Sequence, residues 1–260
     1  MTPSTTATTT RTTDRPADPP ADLVSVADQT PDQLGGPASL LVRQREDHAR
    51  LDELLGQAAR ARGTEQDAVL GRLARLVFPH AYAEETVVWP VLRSVLPDGH
   101  ELTLRNEQEH QEINELWSEL DRTPAEAPRR SELLTRLDAL LRQDARDEED
   151  LLLPRLQAAL SARQLRRLGT TWAVVRRTAP TRPHAVVSRR PPGNVVSAVP
   201  LTVLDRSRDV LDGAARRWPA LRRPLATTSR ALAVVAGAVE HLPPLPYGQD
   251  PSTRAGRTTS

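Results

Sequence analysis

Between residues 38 and 160 apolar and polar positions alternate with the period of an α-helix, and no stretch sustains the period-two pattern of a strand. Four long helices are predicted. The first covers about 38–62, with Gly63 just past its end. The second covers 65–96 from a Thr64 N-cap, with Pro79 and Pro90 as kink points inside it. The third runs over 98–122 and opens on Asp98-Gly-His-Glu101, an acidic variant of the capping box. Thr123, Pro124 and Pro128 mark a loop. The fourth helix then covers 129–160, with Pro154 near its end. Ser161-Ala-Arg-Gln164 opens a shorter fifth helix over 162–177. Long helices joined by short connections predict an all-α fold, an antiparallel four-helix bundle.

The helices match in pairs. His80 to Glu84-Glu85, followed by Pro90 and Leu92, repeats as Asp144 to Glu148-Glu149, followed by Pro154 and Leu156. Asp47-His48 with Leu51, Glu53 and Leu54 repeats as Glu109-His110 with Ile113, Glu115 and Leu116. Two related helix pairs predict a bundle with pseudo-twofold symmetry, since a solenoid needs three or more units.

Each apolar stripe is interrupted at mid-helix by titratable residues. His48 falls among Leu41, Leu51 and Leu55. His80 and Glu84 fall among Leu73, Val77, Val87 and Val91. His110 falls among Asn106, Ile113, Trp117 and Leu120. Asp144 and Glu148 fall among Leu137, Leu141 and Leu151. Singly, each histidine reads as a core or helix-end residue, and each glutamate as part of a solvated face. On four converging stripes they put three imidazoles and three carboxylates at one level. Unpaired buried carboxylates cost several kcal/mol or take up a proton. No arginine lies on these stripes at that level, so a divalent metal pair is the simplest compensation, with iron, manganese or zinc suited to the donors. Glu85 and Glu149 fall off the stripes and are expected to face solvent, with a supporting role behind the ligands as the alternative. His100, His184 and His241 lie outside the pattern.

Composition narrows the chemistry. All 35 basic residues are arginine and cysteine is absent, which excludes lysine Schiff bases, thiolate nucleophiles and cysteine metal sites. Four Trp, two Tyr and one Phe are too few for a nucleic-acid stacking platform, and no specific nucleic-acid partner is expected. The first 22 residues lack the apolar run of a secretory signal, and no apolar stretch reaches membrane length, so a cytoplasmic protein is the expectation.

Charge is partitioned. Residues 1–36 carry 2 arginines and 5 acids, residues 37–160 carry 16 and 24, and residues 161–260 carry 17 and 5. The domain reading is a disordered Thr/Pro/Asp-rich segment over 1–36, a helical metal-binding bundle over 37–178, and a basic Pro/Arg-rich extension over 179–260. In the extension a connector is expected to be extended rather than packed. Weak helices are expected from Asp205 and over 228–241. The tail is read as solvated or loosely docked, with a membrane surface as a lesser option.

The motif set resembles the hemerythrin-like (HHE) cation-binding domains. There a lone histidine comes from helices one and three, and a His-x-x-x-Glu pair from helices two and four. The resemblance spans roughly residues 38–160. It implies non-haem iron, as a di-iron centre, held by His48, His80, Glu84, His110 and Glu148, with the two glutamates bridging. Asp144 stands where the family has its last histidine. It can still bind iron, so both one-metal and two-metal occupancy stay open. The implied function is O2 or redox sensing, iron handling or oxidant protection by a metal- and O2-binding protein. A di-iron oxidase or peroxidase-like enzyme, and an interaction module with a lapsed metal site, are the rivals. A ferritin-type site needs two Glu-x-x-His pairs, and only Glu107 to His110 fits. A His-Glu-x-x-His zinc protease motif is absent.

Overall fold

A computed structural model of the chain describes residues 23–243 and 245–254. The disorder expected for residues 1–22 lies outside them. Among the described residues all regular structure is helical.

Helix α1 (Leu40–Arg60) is capped by Ser39, whose Oγ accepts from the Leu41 amide. Helix α2 (Gly63–Ala83) runs on through a wide π-turn, Glu84–Val88, into α3 (Trp89–Val95). Helix α4 (Gly99–Arg122) returns. Helix α5 (Pro128–Asp147) passes through a second π-turn, Glu148–Leu152, into α6 (Leu153–Ala159). Helices α1 and α2, α4 and α5, and α1 and α5 pack together, which closes the expected bundle. Helix α7 (Ala162–Arg177) opens on the predicted capping box of Ser161 and Gln164 and lies across α1 and α2. Gly169 lets it come close: a Cβ there would sit on the Ala38 carbonyl oxygen.

The prolines act differently from one another. Pro79 stays inside α2 without ending it. Pro90 and Pro154 each follow a π-turn, where the Trp89 amide reaches back to Glu84 and the Leu153 amide to Glu148. A proline cannot donate and its ring crowds the carbonyl four residues back, and one extra residue in the turn relieves that clash. The extra residue also moves the inward face on by one. Val88 and Leu92 are buried where Val87 and Val91 were expected, and Leu152 where Leu151 was. The Asp98 capping box is not made either. The Asp98 carboxylate instead takes two 2.6 Å bonds from Arg155.

Both flanks of the bundle are more ordered than the sequence suggested. Of the segment expected to be disordered, residues 23–36 are packed: Val26 and Leu34 are fully buried in the core, beside Leu40, Trp89 and Trp172. Two fully buried apolar side chains anchor it. In the extension, α8 (Gly193–Arg217) and α9 (Arg222–Glu240) form a helical hairpin. Helix α8 is longer than predicted because Pro200 sits within it rather than stopping it. The connector is docked, not loose: Ala179, Thr181, Val187, Ser188 and Arg189 are all buried. His184, which the sequence left unassigned, is buried between Asp205 and Glu240.

Candidate metal centre

The titratable layer divides the bundle core in two. On one side lies a cluster around Leu51, Leu73, Ile113, Trp117 and Leu141. On the other lies a cluster around Leu41, Val88, Leu152 and Trp172. His48, His80, Glu84, His110 and Glu148 are buried between them, and Asp144 is half-buried at the edge.

These residues converge as the stripes implied. His48 Nε2 lies 3.3 Å from Glu148 Oε2, and His80 Nε2 lies 3.1 Å from Glu84 Oε1 and 3.9 Å from Glu148 Oε2. His110 Nε2 lies 3.6 Å from Asp144 Oδ1, 3.8 Å from Glu84 Oε2 and 3.9 Å from Glu148 Oε1. Two triads have donor atoms close enough to share one ion: His48, His80 and Glu148, and Glu84, His110 and Glu148. Glu148 belongs to both. Asp144 belongs to neither. Its short side chain is held by Asn106 Nδ2 at 2.9 Å, near the second triad.

Behind the ring stands a second set of carboxylates. His48 Nδ1 meets Glu149 at 2.9 Å, His80 Nδ1 meets Asp47 at 3.0 Å, and His110 Nδ1 meets Glu85 at 2.8 Å. A carboxylate on Nδ1 keeps the proton there and leaves the Nε2 lone pair pointing inward, as a ligating imidazole requires. Of the two roles open to Glu85 and Glu149, the structure shows support of the histidines rather than solvent exposure. The π-turns rotate both inward: Glu85 is buried and Glu149 largely so. The signal was present in the sequence, as two Glu-Glu doublets at the same spacing from a proline. Arg176 from α7 backs Asp47 at 2.8 Å, and Arg189 from the connector backs Glu85 at 2.9 Å. The cations missing from the four stripes therefore arrive from outside the bundle. Trp172 meets the His80 ring edge-on, and Trp89 stacks near His110.

Protonation reports the same excess of negative charge. Burial opposes a charge on His48 and on His110. Glu148 and Glu149 outweigh it at His48, raising it to about 9. Asp144 and Glu85 do so at His110, raising it to about 10. Burial pushes Glu84 and Asp144 up, while at Glu148 the His48 and His80 rings overcome burial and hold the carboxyl well below the usual range. Among the described residues, both Glu148 oxygens, Glu84 Oε2 and His110 Nε2 are buried without a well-formed hydrogen bond, the His48 ring standing 3.3 Å from Glu148 Oε2. Such atoms need a counterpart. Imidazole and carboxylate donors at this spacing fit a divalent cation. A cavity of about 30 Å³ adjoins the layer, lined by His48, His80, His110 and Asp144 with Phe78 and Ile113.

The comparisons agree with this geometry. The hemerythrin HHE cation binding domain matches residues 40–156. An uncharacterized hemerythrin-like protein of Schizosaccharomyces pombe is 24% identical over 155 residues, covering 59% of this chain and 72% of the relative. No solved structure matches the chain significantly. The resemblance read from the histidine and glutamate stripes is thus borne out over the bundle, where residues 40–156 match the hemerythrin HHE cation-binding domain.

Proposed function

We propose that the bundle would hold iron at two inequivalent donor sets that share Glu148, and that the protein binds O2 or senses redox state. The observation that carries the reading is the Glu148 carboxylate. It is buried, its two oxygens have no well-formed hydrogen bond among the described residues, and it is shared by both donor triads. His48 and His80 would hold one ion with Glu148. His110 and Glu84 would hold the other, with Asp144 in reach as a further oxygen donor. Iron in such a site supplies reversible electron transfer and O2 affinity. The residues supply the rest: the outer carboxylates orient each imidazole, the two apolar clusters exclude water, and Trp172 and Trp89 wall the rings in.

A cavity of about 30 Å³ against His48, His80 and His110 would give a small molecule such as O2 room beside the ligands. The test is metal content and visible spectrum of protein loaded anaerobically with iron(II), before and after exposure to O2. Two ions per chain and a reversible absorption change are expected. Metal content no higher than that of a His48→Ala/His110→Ala double variant would overturn the reading and leave an interaction module.

A further inference from the structure

We propose that the C-terminal extension regulates the metal centre through Arg189, which acts as a plug on the His110 side. The proposal rests on the metal reading given above. The segment 184–194 is stitched onto α2 and α4. The His184 amide donates to Asn114 Oδ1, Gln111 Nε2 donates to the Ala185 carbonyl, and Tyr82 Oη donates to the Asn194 carbonyl. Asn194 in turn donates to the Arg189 carbonyl. This seating drives Arg189 inward until it is 7% exposed, a degree of burial rare for arginine.

Its guanidinium then makes a planar three-way bridge. Nη1 donates to Glu85 Oε1 at 2.9 Å, and Nη2 donates to Gln111 Oε1 at 3.0 Å and towards the His110 carbonyl at 3.5 Å. The same Glu85 oxygen accepts from His110 Nδ1. One chain of contacts therefore runs from the extension to a candidate ligand: Arg189, Glu85, His110. Next to it Arg190 closes on both oxygens of Glu107, a fully buried carboxylate also met by Arg93. Two consecutive arginines thus plug two buried carboxylates on neighbouring elements. Withdrawing the segment leaves Glu85 buried without its cation and free to turn away from His110. Lysine cannot copy the bridge, because a single ammonium lacks the fork that spans Glu85 and Gln111.

On the other side the supporting arginine is not the extension's: Arg176 of α7 backs Asp47 behind His80. Glu149, the counterpart of Glu85, orients His48 but makes no ion pair with an arginine among the described residues, and it faces a cavity of about 530 Å³. The extension therefore acts on one half of the centre only. Docked, it positions His110 and retains that half's ion. Undocked, it releases it.

The test uses the full chain loaded with cobalt(II) as a visible probe, with loss of each ion followed after adding excess chelator. In Arg189→Met one of the two ions should leave ten- to hundredfold faster than in the wild type, while the other keeps its rate. Arg189→Lys should fall between, and Glu149→Gln should speed the loss of the other ion instead. Melting temperatures of the metal-free proteins show which variants fold. If Arg189→Met does not, Arg189→Lys carries the test alone. Wild-type rates for both ions in every folded Arg189 variant would overturn the plug while leaving the metal reading in place. Equal acceleration of both ions would reduce Arg189 to packing and also overturn it. A wild type that takes up no cobalt sinks the metal reading, and the plug with it.

Discussion

In the first half of the bundle, α1 to α3, position 80 is a histidine braced by Asp47, with Arg176 behind that. In the second half, α4 to α6, the matching position is Asp144, held by the amide of Asn106. The two π-turns, the two Glu-Glu doublets and the two lone histidines are shared. One triad is therefore nitrogen-rich and the other oxygen-rich, although both use Glu148. The difference teaches that the pseudo-twofold repeat governs where donors stand, while single substitutions govern what each position binds. Oxygen donors and added negative charge favour harder, more highly charged ions. The oxygen-rich half should hold its ion with a different affinity and a different potential.

The largest expected effect removes what the halves share. Glu148→Gln should abolish both sites, cutting metal content after desalting to that of the His48/His110 double variant. Glu84→Gln, which enters only the second triad, should leave about one ion per chain. Retention of both ions by Glu148→Gln would show that the halves do not meet at this residue.

Next come the two positions that differ. His80→Ala should lose one ion outright, because His80 supplies one of two nitrogen donors in its triad. Asp144→Ala should weaken the other ion only, by roughly tenfold, because Asp144 lies outside both triads. Chelator competition measures both, and equal losses would make Asp144 a full ligand. Asp144→His sharpens the contrast further. It makes the second half a copy of the first and removes one negative charge beside Glu148. Metal affinity should rise by roughly tenfold, or the iron absorption should shift, and a loss of metal would mean that aspartate is the tuned donor there.

What the sequence made visible, and what it hid, follows the range of the interactions. The stripes through His48, His80, His110 and Glu148 were legible because helical faces are set by spacings of three and four residues. The bundle was legible for the same reason. Glu85 and Glu149 were only half legible: a supporting role was open to them, but their inward rotation was hidden because a π-turn shifts the face by one residue, and only the repeated Pro90 and Pro154 hinted at it. Residues 23–36 were hidden because the short apolar stretch around Val26 and the single Leu34 follow a long Thr/Pro/Asp-rich run and show no helical or strand period. Arg189 was beyond reach altogether. It sits 104 residues from Glu85 in a Pro-interrupted segment, and its partners are set by tertiary packing alone.

The smallest expected effect on metal comes from His184, which holds the extension in place without touching the centre. Its ring is buried between Asp205 on α8, at 3.0 Å, and Glu240 on α9, at 2.8 Å. The same Asp205 carboxylate also accepts from the Thr181 and Arg182 amides, and the Arg182 side chain pairs with Asp209 and Asp212. Burial alone would lower the His184 ring, but the two carboxylates outweigh it and raise it from 6.5 to about 9. A histidine raised on folding contributes stability that is fully present below pH 6.5 and is lost as pH climbs through about 9. The melting temperature of His184→Gln should therefore lie below that of the wild type by several degrees at pH 6. The gap should close by about pH 9.5, with a total linkage of about 3 kcal/mol at most. Over the same window cobalt release from the Arg189 side should quicken severalfold in the wild type, while release from the Glu149 side stays level. Because the extension covers one half only, a quickening shared by both ions would place the pH response in the ligands themselves, and a temperature gap that does not change with pH would reduce His184 to a packing residue.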